Sequence, residues 1–133
     1  MEKYYVGFDA GTQSVKVVTC NERMECVASA SKPTTIYYPN PGWVEMDVDE
    51  YLRLTKACMK ECAEQMRAKG LAVEGIQSIM GDGIICGIAG VDREGHAITP
   101  YINYLDSRTA GDVQAINAMN LDIWGKETGN AEA

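Results

Sequence analysis

The sequence predicts an α/β domain whose mixed sheet opens with an antiparallel meander and is flanked by helices. Three short apolar segments with strand-like alternation follow one another at the start of the chain, with turn residues between them. A long segment with apolar residues at helical spacing comes next, and further apolar runs follow it. This order predicts a sheet with a helix packed on one face.

The predicted meander comprises the strands Tyr4–Asp9, Ser14–Cys20 and Glu25–Ser31. Turns separate them at residues 10–11 and 21–23, where Gly and Asn are residue types that turns favour. Apolar and polar residues alternate in the second strand, so we expect one face of the sheet to be partly exposed.

The segment after the meander, Lys32–Pro41, is predicted to be an extended connection. Its prolines at positions 33, 39 and 41 are incompatible with a helix interior, and each restricts the residue before it. Two adjacent aromatic residues, Tyr37 and Tyr38, lie between these prolines. They either line a ligand cleft or cover the edge of the sheet.

One long helix is predicted from Val48 to Lys69. Asp47 is placed to cap its N-terminus and Glu50 to complete a capping box, and Gly70 provides the C-terminal stop. One face is apolar and should pack on the sheet: Tyr51, Thr55, Cys58, Met59, Cys62 and Met66. The opposite face is charged and should face solvent: Arg53, Lys56, Lys60, Glu64 and Arg67.

The rest of the chain predicts two or three more strands and a last helix. Apolar runs at Ile76–Gly81 and Ile84–Val91 read as strands, and another strand is predicted near Ile98–Tyr104. Ser107 is predicted to cap a helix that continues through about residue 119. The tail, Gly125–Ala133, is small and polar enough to fray.

The composition limits the number of domains and the class of partner. At 133 residues the chain has the size of one domain, with enough residues for a hydrophobic core. The formal net charge of −7 argues against nucleic-acid binding, which needs clustered Lys and Arg. No apolar run approaches the ~20 residues of a membrane helix, and Met1-Glu2-Lys3 leads into a strand without a signal-peptide hydrophobic region. We therefore expect a cytoplasmic protein with neither nucleic acid nor membrane as a partner.

The five cysteines favour a reducing compartment over a disulfide framework, because their number is odd and their density is low. Cys58 and Cys62 lie on one helical face and could share a metal ion, but the single histidine, His96, lies elsewhere and no second cysteine pair completes a site. We expect both to pack in the core. The other three lie in predicted strands and should be small buried hydrophobic residues: Cys20, Cys26 and Cys86.

The most informative segment runs from Gly7 to Lys16, where a predicted strand ends in an acid, a glycine and two hydroxyl residues. Asp9 can hold Mg²⁺ or its waters, and Gly11 has no Cβ where the backbone must approach a phosphate. Hydroxyl, amide, N–H and ammonium donors for phosphate oxygens follow: Thr12, Gln13, Ser14 and Lys16. An ordinary β-hairpin with polar turn residues would have the same pattern, so this segment alone leaves both interpretations open.

Four segments together resemble one family. Asp9–Ser14 resembles the first phosphate loop of the actin-like ATPase superfamily, and its Asp-x-Gly-Thr-x-Ser pattern is similar to that of the FGGY carbohydrate kinases. Pro41–Asp47 resembles the Gly-Trp-x-Glu-x-Asp stretch of those kinases, and Tyr104–Ala110 resembles their Trp-x-Asp-x-Arg element with Tyr in place of Trp. Gly81–Gly87 stands where xylulokinase-like members carry Gly-Gln-Met-His-Gly. The resemblance covers essentially the whole chain in the right order.

This resemblance implies a ribonuclease H-like, actin-like ATPase fold, of which residues 1–133 are the N-terminal portion of the first domain. In such kinases the rest of the first domain carries the catalytic base, and a second domain binds adenine. We therefore expect a piece of a longer ATP-dependent sugar kinase that is inactive alone. The resemblance also implies ATP and Mg²⁺ as cofactors, a sugar or polyol as substrate, and the remainder of its own chain as a partner.

The resemblance further implies roles for named residues. Asp9 would position Mg²⁺, the turn from Gly11 to Ser14 would bind the β- and γ-phosphates, and Lys16 would offset charge on the transferred group. The substrate side would involve five residues: Asp82, Ile85, Cys86, Asp106 and Arg108.

Each substrate-side assignment has a structural alternative. Ile84–Cys86 could be strand core, and Asp106 with Arg108 could form a structural ion pair at a helix start. A site that binds hydroxyl groups normally presents polar side chains. The apolar run where the family carries Met and His therefore predicts an altered sugar specificity.

A second class of function is a non-catalytic actin-like module that binds nucleotide weakly or not at all and serves in interactions. A plain actin-like ATPase does not need the Gly42–Glu45 and Asp106–Arg108 segments, so the sequence favours a kinase. Elements that should pack against a missing remainder would leave apolar surface exposed. We therefore expect the isolated chain to be marginally stable or a homo-oligomer.

Overall fold

The computed structural model describes residues 2–119, 121 and 123–129. The strands in chain order are β1 (Tyr4–Ala10), β2 (Ser14–Asn21), β3 (Cys26–Pro33), β4 (Glu45–Met46), β5 (Ile76–Gly83) and β6 (Tyr101–Ile102). The helices are α1 (Val48–Ala68) and α2 (Ala110–Ala118), with a 3₁₀ turn at Val73–Gly75 and a π-helical turn at Trp124–Thr128.

The main sheet has the strand order β3-β2-β1-β5. The first three strands form the predicted antiparallel meander, and β5 joins β1 in parallel. The predicted mixed sheet is therefore confirmed. Because β1 and β5 run in the same direction, their carboxyl ends lie at the same edge, where Asp9 is paired with Asp82.

One face of the sheet and one face of α1 form the core. The helix buries four residues, Leu54, Cys58, Cys62 and Met66. They pack against alternate residues of the first three strands: Tyr4, Val6, Val15, Val17, Ala28 and Ala30. The Sγ atoms of Cys58 and Cys62 lie within hydrogen-bond distance of strand carbonyls. The predicted core role of these two cysteines is confirmed, and Leu54 is a core residue that the predicted helical stripe missed.

The ends of α1 follow the prediction in part. The Asp47 carboxylate accepts a hydrogen bond from the Asp49 N–H at 2.9 Å, so the predicted N-cap is confirmed. The expected capping box is wrong, because Glu50 instead accepts hydrogen bonds from the N–H and the hydroxyl of Thr35. Gly70 ends the helix with a φ of +72°, a left-handed conformation that favours glycine.

The predicted strand Ile84–Val91 is wrong. This segment has only isolated bridges, from Ile88 to Ile102 and from Val91 to Ala97. Cys86 has a φ of +60°, which interrupts extended backbone, so the apolar run cannot continue β5. The strand expected near residues 98–104 is also shorter, since only β6 forms there and it pairs with β4.

The last helix starts later than predicted. Ser107 does not cap it, because the Ser107 hydroxyl and N–H both donate to the carbonyl of Gly42. Gly42 has a φ of +78°, and a Cβ there would lie 2.5 Å from the Ser107 hydroxyl oxygen. The helix begins at Ala110 after Thr109, which makes no side-chain cap. Of the tail expected to fray, residues 130–133 lie outside the described residues.

Three cysteines were expected to be small buried residues in strands, and two of these expectations are wrong. Cys26 and Cys86 are exposed, and Cys20 is half-buried. Cys26 begins β3 at a register shift opposite Cys20, and Cys20 alternates with buried Thr19 and Asn21, so its side chain lies on the open face. Cys86 lies in the irregular segment after β5.

The sheet face opposite α1 carries both apolar and charged side chains. Tyr5, Val18 and Met80 are exposed on it, and Met80 is 76% exposed. None of the helices in the described part of the chain is both long and apolar enough to cross a membrane.

Candidate functional site

The turn between β1 and β2 brings an acid close to tightly folded backbone. The Gly11 N–H donates to the Ser14 carbonyl at 3.1 Å and closes the turn. A Cβ on Gly11 would lie 3.2 Å from that carbonyl oxygen and 3.4 Å from Asp9 Oδ1. Glycine therefore allows the Asp9 carboxylate to lie directly beside the turn.

The carbonyl groups of this turn accept hydrogen bonds from side chains and backbone elsewhere in the fold. The Tyr51 hydroxyl of α1 donates to the Gly11 carbonyl at 3.0 Å. The Thr34 hydroxyl donates to the Thr12 carbonyl at 2.6 Å, and the Thr34 N–H donates to the Gln13 carbonyl at 3.1 Å. Sequence reasoning missed both side chains, because their partners lie 22 and 40 residues away in the chain.

Tyr51 is held as a hydrogen-bond donor over the physiological pH range. Burial is the largest cause that raises the pKa of its phenol, to about 12, and nearby acidic groups add to the effect. Its hydroxyl also lies 3.2 Å from Met46 Sδ. The ring therefore connects α1, β4 and the turn.

Three charged side chains share the open face of the sheet beside the turn. Asp9 pairs across the antiparallel ladder with Lys16 and across the parallel ladder with Asp82. Residues paired in this way project on the same side of a sheet. Asp82 Oδ1 also accepts the Gly83 N–H at 2.8 Å. Two carboxylates and one ammonium group therefore lie on adjacent strands.

A cleft of about 400 Å³ opens beside this turn. It brings together the predicted Mg²⁺ ligand Asp9 and all the residues predicted to bind phosphate: Gly11, Thr12, Gln13, Ser14 and Lys16. Ile36, Tyr104 and Leu105 complete its lining and were not predicted. Tyr104 and Leu105 begin the segment that resembles the Trp-x-Asp-x-Arg element, which was the available signal, whereas nothing in the sequence distinguished Ile36.

The residues predicted to contact substrate do not all meet at this cleft. Ile85 and Cys86 are exposed on the segment after β5, and Ile85 is 77% exposed. The alternative that they are strand core is therefore wrong. Neither residue lines the cleft at the turn, and only Asp82 lies beside Asp9.

Asp106 and Arg108 form the predicted ion pair within a larger network. The Asp106 carboxylate accepts from the Val44 N–H at 2.6 Å and from Arg108 Nη2 at 2.7 Å. Arg108 Nη2 also donates to Glu45 at 2.7 Å, and the guanidinium lies 3.9 Å from the ring centroid of Trp43. The Gly-Trp-x-Glu and Asp-x-Arg segments are thus two halves of one structural connection.

This network perturbs both charged partners. The Asp106 side chain is only 3% exposed, and hydrogen bonds from Arg108 hold the pKa of its carboxyl well below the usual range. Asp106 and Glu45 in turn raise the pKa of the Arg108 guanidinium. A role of Asp106 and Arg108 in binding substrate hydroxyls stays a prediction.

Among the described residues, no three His, Cys, Asp or Glu side chains converge on one position for a metal ion. Asp9 and Asp82 are a pair of oxygen donors at the cleft edge. Mg²⁺ often uses only one or two protein carboxylates and completes its shell with phosphates and waters. Two carboxylates are too few to surround a metal ion with protein ligands alone. The pair is therefore better suited to a cation that is bound together with a phosphate ligand.

Comparison with characterised proteins identifies relatives of this chain. The xylulose kinase of Escherichia coli (strain K12) is 30% identical over 114 residues, which cover 86% of this chain and 22% of that protein. The glycerol kinase of Bacillus cytotoxicus is 36% identical over 76 residues, covering 57% of this chain and 15% of the relative. The matched part of the chain thus spans less than a quarter of the length of either relative.

Solved structures show the same fold. A kinase from Brucella ovis described as a xyloylose kinase has a TM-score of 0.82 at 24% identity, covering 96% of this chain and 26% of its own. The Plasmodium falciparum glycerol kinase, solved with ADP, has a TM-score of 0.80 at 23% identity, covering 94% of this chain and 25% of its own. The expected actin-like ATPase fold is confirmed by these likenesses.

The sequence pattern of the FGGY family of carbohydrate kinases, N-terminal domain, matches residues 4–131. This match contains the Asp-x-Gly-Thr-x-Ser turn, the Gly-Trp-x-Glu segment and the Asp-x-Arg segment in one continuous range. The chain therefore belongs to the FGGY family of carbohydrate kinases.

Proposed function

We propose that this chain supplies the phosphate-binding hairpin and part of the acceptor site of an ATP-dependent sugar kinase. The observation that carries the proposal is the cleft at the β1–β2 turn, where Asp9 and Lys16 lie beside the backbone from Gly11 to Ser14. Such a site presents N–H, hydroxyl and ammonium donors to phosphate oxygens. The relatives are about four times as long as the chain, so the catalytic base and adenine site would belong to a longer protein.

The roles of the cleft residues follow from their chemistry. Phosphoryl transfer depends mainly on positioning and on stabilisation of the charge on the transferred group. The turn would bind the β- and γ-phosphates, and Lys16 would offset their negative charge. Asp9, assisted by its neighbour Asp82, would hold Mg²⁺. When bound, the metal supplies positive charge that neutralises and orients the phosphate oxygens.

The acceptor is a small hydroxylated molecule in this proposal, since the relatives are described as xylulose, glycerol and gluconate kinases. Ile85 and Cys86 offer little hydrogen bonding to a sugar, and Asp106 is occupied by its structural partners. We therefore propose a specificity that differs from that of xylulose kinases. Phosphorylation assays of the full-length protein with ketoses, polyols and sugar acids test it, and a clear preference for xylulose would refute it.

Replacing Asp9 tests the catalytic assignment. We expect Asp9→Asn in the full-length protein to lower turnover by roughly 10²-fold or more, because an isosteric amide removes the charge that holds the cation. Asp112→Asn on α2 is the charge-matched control and should leave turnover unchanged. An Asp9→Asn protein with near-normal turnover would remove Asp9 from the mechanism.

A second function, an interaction module, is favoured by the exposed apolar side chains on the open sheet face. Tyr5, Val18 and Met80 would be covered by the remainder of a longer chain or by a second copy. Sedimentation of the 133-residue chain tests this, with concentration-dependent association expected. A monodisperse, cooperatively melting monomer that binds Mg-ATP tightly would contradict both the expected association and the dependence on a longer chain.

A further inference from the structure

The peptide groups of the β1–β2 turn have a common orientation. In a planar trans peptide, the carbonyl group and the following N–H point in opposite directions. The carbonyl of Gly11 accepts a hydrogen bond from the Tyr51 hydroxyl, and the carbonyl of Thr12 accepts one from the Thr34 hydroxyl. The N–H groups of the next residues, Thr12 and Gln13, are therefore directed away from these two side chains.

That direction leads to the cleft. Tyr51 belongs to α1, which packs on one face of the sheet, whereas Asp9 and Lys16 project from the opposite face. Thr12 and Gln13 line the cleft together with these charged residues. Within the described part of the chain, neither the Thr12 N–H nor the Gln13 N–H donates to any protein acceptor. Two adjacent N–H groups without protein acceptors, next to an ammonium group, form a concavity suited to an anion.

We propose that Tyr51 and Thr34 are positioning residues of the phosphate site. By binding the carbonyls of Gly11 and Thr12, their hydroxyl groups fix the Thr12 and Gln13 N–H groups in the direction of a phosphate. Neither Tyr51 nor Thr34 lines the cleft, so neither hydroxyl would contact the phosphate itself. This inference rests on the proposed phosphate-binding function of the turn.

The two hydroxyls connect the turn to different parts of the fold. The Tyr51 hydroxyl connects the turn to the core helix α1. The Thr34 hydroxyl connects it to the end of β3, because Thr34 directly follows that strand. The Thr34 N–H adds a third bond, to the Gln13 carbonyl, that survives any side-chain substitution except proline. Loss of either hydroxyl should therefore loosen the turn without unfolding it.

The first test measures the order of the turn without a ligand. Tyr51→Phe and Thr34→Val each remove one hydroxyl and preserve most of the side-chain shape. We expect amide hydrogen exchange at residues 11 and 34, whose N–H groups are hydrogen-bonded to the Ser14 and Gln13 carbonyls, to become faster in both variants. The backbone order parameters of Thr12 and Gln13 should fall. Tyr38→Phe removes an exposed hydroxyl and is the matched control, with no expected change at the turn. Unchanged exchange and order in Tyr51→Phe and Thr34→Val would overturn the inference.

The second test measures binding of inorganic pyrophosphate, followed by the amide chemical shifts of Thr12 and Gln13. Loss of one hydrogen bond should weaken binding about three- to tenfold in each variant, and loss of both should weaken it more. Thr34→Ser keeps a hydroxyl and should restore both the affinity and the shifts. Melting temperatures establish whether each variant is folded, since a folded Thr34→Val with unchanged affinity would also overturn the inference.

These outcomes separate the inference from the function on which it rests. If pyrophosphate does not shift the Thr12 and Gln13 amides of the unmodified full-length protein, the turn is not a phosphate site and the proposed function fails. If the unmodified protein binds and Tyr51→Phe and Thr34→Val bind equally well, the phosphate site stands and the positioning role fails. If either variant is unfolded, amide hydrogen exchange in Thr34→Ser is compared with that in the unmodified protein. Thr34→Ser keeps the hydroxyl, so a disordered turn in this variant would contradict the role of the hydroxyl.

Discussion

The region from β1 to β5 and the region from residue 84 to α2 are held together by different interactions. In the first region, apolar side chains from three strands and one face of α1 meet in a core. The second region exposes several of its large apolar residues, including Ile85, Ile88 and Ile98, and α2 has no fully buried residue. Hydrogen bonds and an ion pair attach it to the segment around β4.

The polar attachment is built from few groups. Asn103 is buried, its N–H donates to the Val44 carbonyl, and its side-chain oxygen accepts the Leu105 N–H. Asp106 and Arg108 add the network with Val44, Glu45 and Trp43. The comparison teaches that apolar burial decides stability in the first region, whereas hydrogen bonds decide geometry in the second.

The largest expected effect comes from emptying the core of the first region. Met66 is 0% exposed, and Met66→Ala should lower the free energy of unfolding by about 2–5 kcal/mol. Met80→Ala is the matched control, because Met80 is exposed on the open sheet face and its loss should change stability by less than about 0.5 kcal/mol. Urea unfolding measures both. Equal effects of the two substitutions would break the distinction between a packed and an open sheet face.

A smaller effect is expected where β1 and β5 approach closely. A Cβ on Gly81 would overlap the ring of Phe8, so Gly81→Ala must displace that ring. We expect a loss of about 1–3 kcal/mol in the free energy of unfolding. A Cβ on Gly111 of α2 would meet no atom within 4 Å, and Gly111→Ala should be neutral or slightly stabilising because alanine favours helix. A destabilising Gly111→Ala would show that α2 packs more tightly than the comparison holds.

Disrupting the polar network should change the second region with a smaller effect on the main unfolding transition. Asp106→Asn keeps the shape but weakens the bonds to Arg108 and to the Val44 N–H. We expect altered Trp43 fluorescence and faster amide exchange around residues 101–110, with the core of β1–β3 unaffected. A uniform loss of protection in both regions would mean that they unfold as one cooperative unit.

The smallest effect concerns pH. The pKa of Asp106 is lowered in the folded chain, so its contribution to stability is fully present above the ordinary aspartate pKa of 3.8 and is lost as the pH falls through the lower folded value. We therefore expect no change of the Trp43 signal from neutral pH down to about pH 5, and a change below about pH 4 that Asp106→Asn abolishes. A transition near pH 6 would contradict the assignment to this carboxylate.

The sequence predicted the first region better than the second for a physical reason. The alternation of apolar and polar residues in β1–β3 and the helical spacing of apolar residues in α1 both indicate an element that is buried on one face. In the structure these elements are buried in that way. The apolar run from Ile84 to Val91 has the composition of a buried strand, but no sheet face in the described part of the chain covers it. Its apolar composition therefore did not predict a strand correctly. The left-handed backbone of Cys86 had no sequence signal.

The candidate site was likewise predicted only in part. Residues Asp9 to Lys16 are contiguous, so their chemistry was visible together and the structure places them at one cleft. Tyr51, Thr34 and Tyr104 reach the turn or the cleft from distant parts of the chain, and one sequence does not reveal such contacts. The Asp106–Arg108 pair was visible as an alternative, whereas its partner Glu45 was not.

The parallel pairing of β1 with β5 also has a consequence for the rate and order of folding. The hairpins β1–β2 and β2–β3 close over short loops, whereas β1 pairs with β5 across a stretch of chain that contains β3 and α1. Contacts between distant residues cost more loop-closure entropy and form more slowly. In pulse-labelling hydrogen exchange during refolding, we expect amides of β5 to become protected after those of β1–β3. Asp82 would then reach Asp9 last, so a nascent chain could present the turn before it could present the paired carboxylates.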